Sequence, residues 1–75
     1  MEEFLEFVIK GLVDFPDEIV IVKHEADQRV LFNVQVNPAD VGKIIGKHGQ
    51  TISAIRIVLS AGAARHGLKA AVELI

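Results

Sequence analysis

Seventy-five residues and 8.2 kDa make one small domain, spanning 1–75, and leave no room for a second. A hydrophobic share of 51% and a mean hydropathy of +0.40 exclude a disordered chain, and the absence of cysteine excludes disulfide scaffolds, thiolate metal sites and thiol catalysis. The net charge of −2 conceals a division: residues 1–40 carry three cations and nine acids, a net of −6, while residues 41–75 carry five cations against Glu73, a net of +4.

Residues 3–13 place Leu5, Val8, Ile9 and Leu12 at helical spacing, with Glu2 and Glu3 at the positive end of the helix dipole. Pro16 and Asp17 are expected to end that helix. Ile19-Val20-Ile21-Val22 is β-branched throughout and too short for a helix, so it reads as a strand that His24 closes. It also falls far below the roughly 18 apolar residues of a membrane span. The acidic start, Met1-Glu2-Glu3, lacks the positive charge of a secretory signal, so a soluble cytoplasmic domain without membrane contact is expected.

Ala26-Asp27-Gln28 turns the chain, and Val30, Phe32, Val34 and Val36 then alternate with Leu31, Asn33 and Gln35. That period of two makes the second strand of a hairpin, half-buried. Asn37, Pro38 and Asp40 form a helix start, with Asn37 as cap and Pro38 at the first helical position. This helix carries Val41, Ile44 and Ile45 inward and ends at Gly46. A longer helix follows from Gln50 to His66, stopped by Gly67. Its inner stripe is Ile52, Ile55, Val58, Leu59 and Ala63, with His66 packed or capping near its end. Residues 70–75 form a closing strand. The order helix, strand, strand, helix, helix, strand describes an α+β fold, a three-stranded sheet with three helices on one face.

The segment with chemical content is Gly46-Lys47-His48-Gly49. A Gly-x-x-Gly quartet alone is common and usually means only a tight turn. Between two helices it offers more: no Cβ obstructs the approach of an anion, and the second helix adds amide donors and its dipole. Lys47 supplies a fixed charge and His48 a hydrogen-bond donor. A Walker A phosphate loop is excluded, because three residues rather than four separate Gly42 from Gly46 and His48 stands where Ser or Thr is needed. His24, His48 and His66 show no metal-ligand spacing, and Ser53 and Ser60 have no base beside them. No enzyme activity, cofactor or metal is expected.

The quartet, flanked by Ile45 and Ile52 in this element order, resembles a KH domain of the type II topology, and the likeness covers the whole chain. The run Val41-Gly42-Lys43-Ile44-Ile45-Gly46-Lys47-His48-Gly49 is similar to that of the small bacterial RNA-binding KhpA family. The resemblance implies that residues 46–49 clamp the backbone of single-stranded RNA. Val41, Ile45 and the 70–75 strand would line a groove for bases, which Lys43, Gln50, Ser53 and Arg56 would border. All four aromatics (Phe4, Phe7, Phe15, Phe32) precede the quartet, so aromatic stacking is not expected to be the main device. The resemblance also implies post-transcriptional or RNA-chaperone work, a larger KH partner of the KhpB (EloR) kind, and links to cell elongation and the cell wall.

The 50–66 helix carries a second apolar stripe opposite the core: Ala54, Ile57, Ala61 and Ala64. One small sheet cannot cover both sides of a helix, so this stripe is expected at an interface in a homodimer or heterodimer. A protein-interaction adaptor with little RNA binding of its own is therefore the competing reading.

Overall fold

The computed structural model describes residues 1–75. Helix α1 spans Glu2–Leu12; it buries Leu5 and Ile9, with Val8 and Leu12 packed alongside. It ends short of Pro16: Val13 is extended, and the Asp14 and Phe15 amides donate to the Asp40 carboxylate at 3.1 Å each. Pro16–Glu18 then forms a separate 3₁₀ turn.

Strand β1 runs Val20–Ala26 and β2 Arg29–Gln35. They pair antiparallel from Val20↔Gln35 to Ala26↔Arg29, so His24 lies within β1 rather than at its end. The polar residues 23–25 hid this extension, which pairing with β2 enforces. Asp27 makes the tight turn at φ 55, a left-handed conformation that aspartate tolerates better than most residues.

Asn37 Oδ1 accepts the Ala39 N–H at 2.8 Å and starts a 3₁₀ turn over Pro38–Asp40, which leads into α2, Val41–Ile45. Helix α3 spans Gln50–Ala64. Gly67, at φ 72, donates to the Ala64 carbonyl at 3.0 Å and Leu68 to that of Ala63 at 2.9 Å. This pair of bonds is a Schellman close. Helical pairing thus stops two residues before His66, which is exposed rather than on the inner line.

Strand β3, Lys69–Leu74, pairs parallel with β2 in the sheet order β1-β2-β3. Val30, Phe32 and Val34 of β2 and Val72 of β3 face the helices and meet Leu5, Ile9, Ile44, Ile52, Ile55 and Leu59 in one core. Each such side chain contributes about 1.5–3 kcal/mol on burial. Two residues expected inside lie nearer the surface: Val58 is 50% exposed and Ile45 38%. Val58 sits on the α3 flank turned toward Met1 and the α1 residue Phe4, where the helices leave an open groove. Ile45 lies at the last turn of α2, where the chain turns away into Gly46.

Candidate nucleic-acid interface

The bend joining α2 to α3 is built from backbone conformations that side chains rarely tolerate. Gly46 sits at φ 77, ψ 174, a region essentially reserved for glycine. A Cβ there would stand 2.6 Å from the Thr51 Cβ and 2.9 Å from the Thr51 amide nitrogen. Gly49 adopts φ 73, ψ 12, but a Cβ on it would meet only open space. His48 takes the left-handed conformation as well, φ 58 and ψ 26, without being glycine. The Gly46 amide closes α2 on the Gly42 carbonyl at 2.9 Å, and the Gly49 amide closes the bend on Gly46 at 3.1 Å.

Lys47 and His48 are exposed at the tip, and neither forms an ion pair. No side chain caps α3, so the positive end of a helix of 15 residues opens at Gly49 beside them. The positive end of a helix and an unpaired cation lie together at a bend where two of four residues lack a Cβ, an arrangement able to receive an anion.

The other expected residues fall around this bend. Ile45 and Gln50 are exposed on either side of it, and Val41 is half-buried one turn earlier. Ser53 and Arg56 lie on the exposed side of α3. Arg56 reaches across to β3, with Nε 3.3 Å and Nη2 3.2 Å from the Val72 carbonyl oxygen. Ala54, Ile57, Ala61 and Ala64 are exposed on a different flank of α3, with Ile57 at 69%.

Lys43 has partners within the chain. Its ammonium is hydrogen-bonded to Asp14 and lies 3.2 Å from Asp40 Oδ1. The Asp14 carboxylate, then that of Asp40, raises the Lys43 pKa above its ordinary value against an opposing effect of burial. Asp40 is fully buried at 0%. Burial pushes its carboxyl upward, but the Asp14 amide, Lys43 and the Phe15 amide together outweigh it and hold the pKa below the usual range. This carboxylate ties the segment after α1 to the start of α2. Sequence reasoning placed Asp40 only as a first-turn acid, because nothing local reveals partners 25 and 26 residues away. No group of His, Asp and Glu side chains is arranged to hold a metal ion.

A helix pair joined by a Gly-x-x-Gly bend, packed on a sheet whose β2 and β3 run parallel and whose β1 is added antiparallel, defines a KH domain of the type II topology. The family model described as the KhpA/KhpB KH domain matches residues 2–74. A protein of Chlamydia pneumoniae named RNA-binding protein KhpA is 40% identical over 99% of this chain and 95% of its own length. Proteins of the same name from Clostridium acetobutylicum (39% identical, both chains covered in full) and Oceanobacillus iheyensis (46% identical, 81% of each covered) are similar too. No solved structure matches. The chain belongs to the KhpA/KhpB family of KH domains.

Proposed function

We propose that this protein binds single-stranded RNA, with the backbone held by Gly46, Lys47, His48 and Gly49 and the bases laid along Val41, Ile45 and the β3 side of α3. The observation that carries this reading is the bare bend itself: an unpaired exposed cation beside an uncapped helix start, with Gly46 in a conformation only glycine adopts readily. The relatives' shared name, RNA-binding protein KhpA, supports it. Gln50, Ser53 and Arg56 border the strand. Lys43 contributes less to phosphate binding than its charge implies, because two carboxylates already share its ammonium. The role is that of an RNA chaperone or post-transcriptional regulator in the cytoplasm, with no cofactor and no catalysis. The link to cell elongation and wall homeostasis rests on family resemblance.

Dimerisation is the second element of the proposal, favoured by the 69% exposure of Ile57. Ala54, Ile57, Ala61 and Ala64 let a second helix approach closely, whether from another copy of this chain or from a larger KhpB-like KH protein. Two linked loops would raise affinity through effective concentration. Replacing Lys47 and His48 by Asp tests the RNA reading: retention of single-stranded RNA is lost while the circular dichroism spectrum is unchanged. Were retention to persist, the adaptor reading would stand instead. No helix is long and apolar enough to cross a membrane.

A further inference from the structure

Strand β3 is an edge, with β2 on one side and no strand on the other. The Lys69 amide donates to the Gln28 carbonyl at 2.8 Å and the Ile75 amide to that of Val34 at 2.9 Å. Alternate residues in this register therefore turn their backbone groups toward β2, and Ala70, Val72 and Leu74 turn theirs outward. An open edge residue offers one donor and one acceptor, a pattern that adenine (N1 and N6), cytosine (N3 and N4) and uracil (O4 and N3) can each meet, so by itself it discriminates little.

At Val72 that pattern is altered. Two N–H groups of Arg56 occupy its carbonyl oxygen, at 3.3 and 3.2 Å. The acceptor is masked, and what faces outward is the Val72 N–H together with the remaining N–H groups of the guanidinium. A donor–acceptor edge has become a donor–donor edge. Arg56 stands seven residues beyond Gly49 on α3, about 10 Å along the axis, within reach of a strand whose backbone lies on the bend. Ser53 and Ser60, one turn to either side, add hydroxyls that adapt to a donor or an acceptor.

We propose that Arg56 determines base specificity, by masking the Val72 carbonyl so that β3 selects a base with two adjacent acceptors over adenine and uracil. Cytosine (O2 and N3) and guanine (O6 and N7) have that arrangement. This inference rests on the RNA-binding reading above. The chosen probes are unstructured eight-nucleotide homopolymers of C, A and U, with affinity read by fluorescence anisotropy at fixed salt. Wild type prefers oligo(C) about tenfold. Arg56→Met uncovers the Val72 carbonyl and cannot donate, so the preference for C disappears and oligo(A) binds at least as well. Arg56→Lys keeps the charge without the planar fork and loses the preference with a smaller loss of overall affinity.

Wild-type preference for oligo(A) or oligo(U), an unchanged order in Arg56→Met, or an equal loss on all three oligomers would overturn the inference while leaving RNA binding intact. Failure of wild type to bind any oligomer, or undiminished binding when Lys47 and His48 are replaced by Asp, would overturn the RNA-binding reading and this inference with it. Arg56→Met gives up the two hydrogen bonds to Val72, so a somewhat lower melting temperature is expected, and a cooperative melt with an unchanged circular dichroism spectrum excludes misfolding as the cause.

Discussion

Gly46 and Gly49 are alike in the sequence and different in what they permit. Gly46→Ala drives a Cβ against Thr51 in a backbone region closed to alanine, so urea unfolding should show a loss of about 1–3 kcal/mol. RNA retention should fall with it as the bend opens. Gly49→Ala meets no atom within 4 Å and pays only the left-handed backbone cost, about 1–2 kcal/mol. Equal losses in the two variants would mean that the contact with Thr51 relaxes. The quartet was legible because glycine is read directly, whereas the left-handed His48 carries no local signature.

Asp40 is the clearest case of a residue whose role could not be read from its neighbours. Its pKa is depressed in the folded state, so its contribution to stability is present above the unfolded value near 3.9. That contribution is lost as pH falls through the folded value. Wild type should therefore lose stability below about pH 4, while Asp40→Asn should be less stable at pH 7 and show a shallower acid transition. Thermal melts from pH 7 to pH 2.5 would test both; parallel curves for the two proteins would mean that Asp40 does not contribute through its charge.

At the scale of elements, α3 has to satisfy three surroundings. Ile52, Ile55, Leu59 and Ala63 enter the core, Arg56 turns to β3, and Ile57 with its alanines is left outside. The helical period made the first and last of these legible. It misassigned Val58, which lies one position before the core residue Leu59, because periodicity says which residues share a face but not how wide the covering layer is. That width depends on where α1 docks, and Met1 and Phe4 leave the Val58 flank open. Ile57→Asp is expected to convert a dimer to a monomer in sedimentation equilibrium, with the fold retained because the side chain is exposed; a wild type already monomeric would contradict the interface.

The strands were easier to find than to delimit. β2 announced itself by alternation, while β1 outran its β-branched stretch because cross-strand pairing carries Lys23, His24 and Glu25 along. The end of α1 at Leu12 agrees with Pro16, which has no N–H for the Leu12 carbonyl, and a tertiary contact reinforces it, the Asp40 carboxylate accepting from the Asp14 and Phe15 amides.

Across the whole molecule, charge is distributed less simply than a division between acidic and basic halves implies. Asp14 and Asp40 belong to the acidic half yet sit against Lys43, close to the bend. The cations left free near the loop are few, so two to four phosphates are expected to be neutralised. The slope of log K against log salt for a single strand should then lie at roughly −1.5 to −3; a slope near zero would mean that phosphates are not held. Order of elements, sheet composition and the bend followed from local pattern and family resemblance. The Asp14–Asp40–Lys43 cluster and the Arg56 bridge to β3 did not, since each joins residues that only the folded chain brings together.

The most direct measurement is a titration of ¹⁵N-labelled protein with a mixed-sequence single-stranded RNA, followed amide by amide. The account predicts the largest shifts at Gly46, Lys47, His48 and Gly49 and at the first turn of α3, with smaller ones along β3. Shifts confined to other surfaces, with the amides of the bend unmoved, would contradict it.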